Sequence, residues 1–135
     1  MKTDRYEIEW FDPDASILYV HFFNKWEWED VDELTTLKYR MVEAVDHQVY
    51  VLVDLEYSHL PANAVSNMAK ALGQSHENES LLFIISDNNA VQSVFAVIGE
   101  LFDVTHQIMS TRFVRTIDEA LQQIEHHKRQ NALTS

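Results

Sequence analysis

Val49-Tyr50-Val51-Leu52-Val53-Asp54-Leu55 is an almost unbroken apolar run, rich in β-branched residues, that meets an acid near its end. A strand apolar on both faces must be covered on both faces, which places it at the centre of an α/β sheet. Sites in such sheets gather where strands end and helices begin, so the segment from Asp54 to Ser66 is where a function is expected.

Upstream, Tyr6-Glu7-Ile8-Glu9-Trp10-Phe11 alternates in part and reads as a half-exposed edge strand. Asp12-Pro13-Asp14 supplies turn residues, and Ser16 to Phe23 is a second strand that completes a hairpin. Trp28 to Asp46 has helical periodicity, with Val31, Leu34, Leu37, Met41, Val42 and Val45 on one stripe. Acids at 29, 30, 32 and 33 favour its N-terminal end electrostatically.

Downstream, a helix is expected from Pro61 or Asn63 to Leu72, with Gly73 as a left-handed cap and a polar loop from Gln74 to Glu79. Leu81 to Ile85 reads as a buried strand. Asp87, Asn88 and Asn89 are candidate caps for a helix whose broad apolar arc contains Val91, Val94, Phe95, Ile98, Leu101 and Phe102. Met109 to Arg115 is a short strand. Thr116-Ile117-Asp118-Glu119 has the form of a capping box and opens a last helix expected to fray after His127. The order β-β-α-β-α-β-α-β-α predicts an α/β fold: a mostly parallel five-stranded sheet, an antiparallel N-terminal edge strand and four helices. Residues 1–135 read as a single domain, with a core over about 6–125 and a polar tail over about 128–135.

Composition narrows the functional classes. With 46% hydrophobic residues but only 2 Gly and 2 Pro, the chain has the material for a packed core and little for linkers. The absence of cysteine excludes disulfides, thiolate metal sites and cysteine nucleophiles. No apolar signal region follows Met1 to Arg5, and no run approaches the roughly 20 residues of a membrane span, so a cytoplasmic location is expected. A net charge of −12 opposes binding to nucleic acid or anionic membranes. It would attract a basic protein, although solubility alone accounts for such a charge.

The element order, the strand Val51-Leu52-Val53-Asp54-Leu55 and the helix after it resemble the STAS family, the domain shared by sulfate transporters and anti-sigma factor antagonists. The resemblance spans Tyr6 to Ile124. It implies a protein-binding module whose partner is a regulatory kinase or an anti-sigma factor. A related branch of the superfamily binds lipids or small hydrophobic molecules. In regulatory members of the family a hydroxyl at the start of the helix after the acid-ending strand is phosphorylated. Here Ala62-Asn63-Ala64-Val65 stands at that place, and the nearest hydroxyls are Ser58 and Ser66. The missing hydroxyl favours a chain not switched by phosphorylation over one whose phosphosite has moved.

Catalytic constellations are incomplete. Asp54, Ser58 and His59 contain triad residue types, but adjacent Ser58 and His59 are poorly placed for a base to reach its nucleophile, and no Gly-x-Ser-x-Gly elbow is present. A receiver domain would need paired acids after its first strand to hold magnesium; His21-Phe22-Phe23-Asn24 occupies that region. No His-Glu-x-x-His or glycine-rich phosphate loop occurs, so neither metal nor cofactor is expected. His21, inside a buried strand, needs a hydrogen-bond partner. Tyr19, Phe22, Phe23, Trp26 and Trp28 crowd together in sequence and read as core or as a hot spot.

The resulting expectation is a non-enzymatic regulatory module whose partner-binding residues are Asp54, Glu56, Tyr57, Ser58, His59 and Asn63. The alternative is a hydrophobic-ligand or lipid-binding protein, with Trp26, Trp28, Val94, Phe95, Ile98 and Phe102 lining a ligand site or a homodimer surface.

Overall fold

A computed structural model describes residues 1–23, 25–56, 60–72, 76–101 and 110–134. Five strands form one sheet in sequential order: β1 (Tyr6–Trp10), β2 (Ile17–Phe22), β3 (Val49–Asp54), β4 (Glu79–Ile85) and β5 (Thr111–Val114). The first pair is antiparallel and the remaining pairs are parallel. The helices are α1 (Trp28–Glu43), α2 (Ala64–Leu72), α3 (Asn89–Leu101) and α4 (Ile117–Thr134). The fold is therefore the α/β arrangement expected from the sequence, with the antiparallel strand at its edge.

Sequential order has a consequence for layering. Right-handed crossovers that all step one strand in the same direction deliver their helices to the same face. Leu34 and Val42 of α1, Met68 of α2, and Val91, Phe95 and Ile98 of α3 accordingly share one core with Ile8, Leu18, Val20, Val49, Val51 and Ile84. The opposite face is left to α4, which packs across β3, β4 and β5. Ala120 and Ile124 meet Tyr50, Leu52, Phe83, Ile85 and Val114 there. Both faces of β3 are thus covered, as its apolar run requires, with Val53 half-buried. Val49, Val51 and Leu52 are fully buried, each burial contributing about 1.5–3 kcal/mol.

Local chemistry sets the connections. Asp12 turns the hairpin: its Oδ1 accepts the Ser16 and Ile17 amides at 2.9 Å each, and its Oδ2 pairs with the Ser16 hydroxyl. Burial opposes ionisation of Asp12, but these hydrogen bonds outweigh it and hold the carboxyl below its ordinary value. The free edge of β1 is partly closed by the chain's own start. The Met1 ammonium donates to the Ile8 carbonyl at 2.7 Å, and the Ile8 amide donates to the Met1 carbonyl at 2.8 Å.

Several boundaries differ from the sequence reading. Helix α2 begins at Ala64, so Pro61 lies before it rather than in its first turn. Gly73 lies outside the described residues. Glu79 is the first residue of β4, not loop, because its carboxylate is buried against α1: Lys38 Nζ lies 3.0 Å from Oε1, while the His76 amide donates to Oε2. Strand β5 is shorter than expected at its described end, stopping at Val114. Asn88 caps α3, its Oδ1 accepting the Ala90 amide at 2.8 Å. The box at α4 is half formed: Thr116 Oγ1 accepts the Glu119 amide, but Glu119 reaches back to the Arg115 amide instead of its own cap. Helix α4 does not fray after His127 but runs to Thr134. Tyr50 Oη lies 2.7 Å from His127 Nδ1, and Lys128 sits 5.7 Å over the Tyr50 ring. These contacts with β3 anchor the turn expected to be loose.

Lys38 and Glu79 are both nearly inaccessible, with side-chain exposures of 8% and 5%. Breaking such a pair strands a buried charge. Lys38→Met should therefore lower stability by about 3–5 kcal/mol in urea denaturation, and Lys38→Met with Glu79→Gln should recover most of that loss.

Candidate functional site

The parallel strands end together at His21, Asp54, Ile85 and Val114. Asp54 is 3% exposed and both of its oxygens are engaged. Tyr19 Oη donates to Oδ2 at 2.6 Å, and the Glu56 amide donates to Oδ1 at 3.0 Å. Burial, reinforced by that bond and by the Asp54 charge, raises the Tyr19 phenol above its ordinary value, so it remains a donor throughout the neutral range. Asp54 thus ties β2 to β3 and folds the first residues of the following loop. A carboxylate held on both oxygens is a shaping element of this surface.

Further acids lie within electrostatic reach of it. The Glu56 carboxyl is raised, first by burial and then by the Asp54 and Asp87 charges, with His21 acting in the opposite direction. Ser86 is buried at the end of β4, where its hydroxyl accepts the Asn88 amide at 3.1 Å. His21 does not enter the core. It is half-buried on the α4 side of the sheet, with Nδ1 3.8 Å from Glu7 Oε1 across the hairpin.

The start of α2 is fixed from a different direction. Trp28 Nε1 donates to the Ala62 carbonyl at 2.6 Å, tying this connection to α1. Asn63 is exposed and takes a left-handed conformation with φ of 63°. Asparagine tolerates that region better than most residues. Its carbonyl accepts the Asn67 side-chain amide at 2.9 Å and the Ser66 hydroxyl at 3.4 Å. Ser66 is exposed one turn into the helix. Of the partner-binding residues expected from the sequence, Asp54, Glu56 and Asn63 therefore fall at the carboxyl end of the sheet. Tyr57, Ser58 and His59 lie outside the described residues.

The aromatic cluster divides by strand parity. Phe22, Trp26 and Trp28 stack on the α1 side, with centroid separations of 4.6 Å and 5.0 Å. Tyr19 and Phe23 project to the other side with His21. Trp26 is 3% exposed, and it lines a cavity of about 60 Å³ between α1, α2 and the sheet together with Leu34, Lys38, Met68 and Ile84. Among the described residues its Nε1 has no hydrogen-bond partner. A cavity of about 150 Å³ is what one benzene occupies, so the space lined by the described residues is smaller than that. Phe95 and Ile98 are buried in the core and Val94 is half-buried against it; none of the three lines this cavity. Among the described residues all three pack into the core on the α3 side. Phe102 lies outside the described residues.

Sequence reasoning singled out Tyr19, His21 and Phe23 but did not join them to Glu7 and Glu9 across the hairpin on the α4 side. Glu7 pairs with His21 and Glu9 with Tyr19 in the hairpin register. The signal was available as i, i+2 alternation through Tyr19, His21 and Phe23, but it was hidden inside a run that is aromatic or apolar at almost every position. Among the described residues no group of three or more acids and histidines is arranged to hold a metal ion, and no helix is long and apolar enough to cross a membrane.

Comparison with protein-family models, curated proteins and solved structures gives no match for this chain. The STAS resemblance therefore rests on element order and on the placement of β3 and α2.

Two outcomes follow from the Asp54 geometry. Tyr19→Phe deletes the donor to Oδ2 and should cost about 1–3 kcal/mol in urea denaturation. Glu56 is a group whose folded-state pKa is raised, so its ionisation opposes folding as pH rises through that value. Glu56→Gln should raise the melting temperature at pH 7, and the gain should vanish as pH falls below the ordinary carboxyl value of 4.5.

Proposed function

We propose that this chain is a regulatory protein-binding module of STAS-like type, acting through the surface at the carboxyl end of β3 and the start of α2. The observation that carries this reading is the double engagement of Asp54, by Tyr19 on one oxygen and the Glu56 amide on the other. The acid at the position where a reaction centre would be sought is committed to holding the surface in shape. Around it the structure offers a braced connection: Trp28 holds Ala62, and Asn63 presents an exposed side chain from a fixed backbone. A surface ordered before binding loses less conformational freedom on association, which favours recognition of another folded protein.

The absence of a hydroxyl at Ala62-Asn63-Ala64-Val65 supports a module that is not switched by phosphorylation at that place. The small volume of the cavity beside Trp26 gives the lipid-carrier alternative little support. A regulatory kinase or an anti-sigma factor is the partner class that the resemblance suggests. The charge of −12 supports a partner with a basic contact surface.

A photo-crosslinking residue placed at Asn63 should trap one discrete protein partner in cells. The same residue at Gln122, which is exposed on α4, should not. Glu56→Ala, with the crosslinking residue kept at position 63, should reduce the crosslinked species about tenfold or more, the loss expected when a binding hot spot is removed. Equal trapping from both positions, or full retention in the Glu56→Ala variant, would place the partner surface elsewhere.

A further inference from the structure

On the face that α4 leaves to the hairpin, four rings form a continuous ladder. Phe11 lies 6.1 Å from Tyr19, Tyr19 lies 6.1 Å from His21, and His21 lies 4.9 Å from Phe23. Phe11 is 45% exposed, while Tyr19, His21 and Phe23 are half-buried. The described helix on this face packs chiefly across β3, β4 and β5; Tyr19 borders the core it covers, and the ladder continues from there over the hairpin.

The rim of the ladder is acidic. Glu7 is half-buried beside His21, and Glu9 is exposed in register with Tyr19. Glu56 lies within electrostatic reach of Asp54, Asp87 and His21; its carboxyl is raised first by burial and then by the Asp54 and Asp87 charges. One cation is already seated at the end of the ladder: Lys2 Nζ lies 5.6 Å from the centroid of the Phe23 ring. The chain itself thus shows a ring of this ladder receiving an ammonium group, the contact expected between a cation and an aromatic face.

The spacing selects the shape of an occupant. An extended peptide presents same-side residues about every 6.6–6.8 Å, close to the two 6.1 Å steps of the ladder. Arginines at alternate positions would each meet a ring, with acids alongside to accept their guanidinium hydrogens. The hairpin edge is a less suitable dock, because the Met1 backbone already pairs with Ile8 there.

We infer that the Phe11–Tyr19–His21–Phe23 ladder, rimmed by Glu7, Glu9 and Glu56, is the docking surface for an extended, arginine-rich segment of a partner protein. The inference rests on the protein-binding reading above and names the chemistry of the partner. It adds a second contact region on the hairpin, continuous with the Asp54 end of the sheet through Tyr19.

Two capped peptides of equal charge test it: one alternating arginine and serine over eight residues, the other with four arginines followed by four serines. Each is titrated into the full chain by calorimetry at roughly physiological salt, with binding mapped by backbone amide shifts. The alternating peptide should bind about fivefold tighter or more, on the strength of two or more ring contacts. Its shifts should centre on β1 and β2, and Phe11→Ala with Glu9→Gln, both exposed positions, should remove the preference. Equal affinities would mean general charge attraction and would overturn the inference, as would no binding. Shifts produced by concentrating the chain alone at the same residues would make a second copy the occupant, also overturning it. Shifts confined to Asn63 and α2 would overturn the ladder while leaving the protein-binding surface intact. A silent crosslink at Asn63 with a mapped ladder would separate the two in the other direction.

Discussion

The sandwich around β3 is the constraint on which the rest depends. Val49, Val51 and Leu52 are fully buried, and Val53 is half-buried against the core. A strand of this kind is stable only if neighbours pair on both edges and helices lie on both faces. Strands β2 and β4 supply the edges, three crossover helices supply one face, and α4 supplies the other. Because the sheet is in sequential order, the three crossovers occupy the same side, and among the described residues a single helix is left for the opposite side. That helix packs across three of the five strands. The face of β1 and β2 beside it is consequently where aromatic and acidic side chains are both partly accessible.

The polar groups buried in this arrangement act as local fasteners. Lys38 and Glu79 link α1 to the start of β4, and Asp54 links β2 to the loop after β3. Tyr50 and His127 join the middle of the sheet to the last helix. Burial, followed by the Arg112 and His126 charges, lowers the His127 pKa below its ordinary value, so the ring is neutral at neutral pH and Nδ1 is free to accept the Tyr50 proton. Each fastener joins elements distant in sequence, and each keeps a buried polar group satisfied. At the carboxyl end of the sheet Asp54 holds the Glu56 amide, and Trp28 holds the Ala62 carbonyl next to Asn63.

Much of the fold was legible because hydrophobic periodicity is a local property. The continuous run at β3, the alternation at β1, and the helical stripes of α1 and α3 each identify an element from neighbouring residues alone. The failures have specific causes. Lys38 looked like a solvent residue, and Glu79 looked like loop, until a contact spanning 41 positions buried them as a pair. The end of α4 looked frayed because its residues are polar, yet Tyr50 anchors His127 and Lys128. His21 looked buried because its strand is apolar on average, yet its own side chain faces the less covered half of the sheet.

The sequence by itself determined the order and type of the elements, the central position of β3, and the acid at its end, since these depend on side-chain pattern along a few residues. Only the tertiary structure decided which side of the sheet each aromatic ring occupies, that Asp54 is held on both oxygens, and that Phe11 joins a ladder with residues of the next strand. The physical reason is register. A shift of one residue in the hairpin would move Tyr19, His21 and Phe23 to the opposite face from Glu7 and Glu9. Strand pairing and the direction of the crossovers set that register through contacts between residues far apart in the chain.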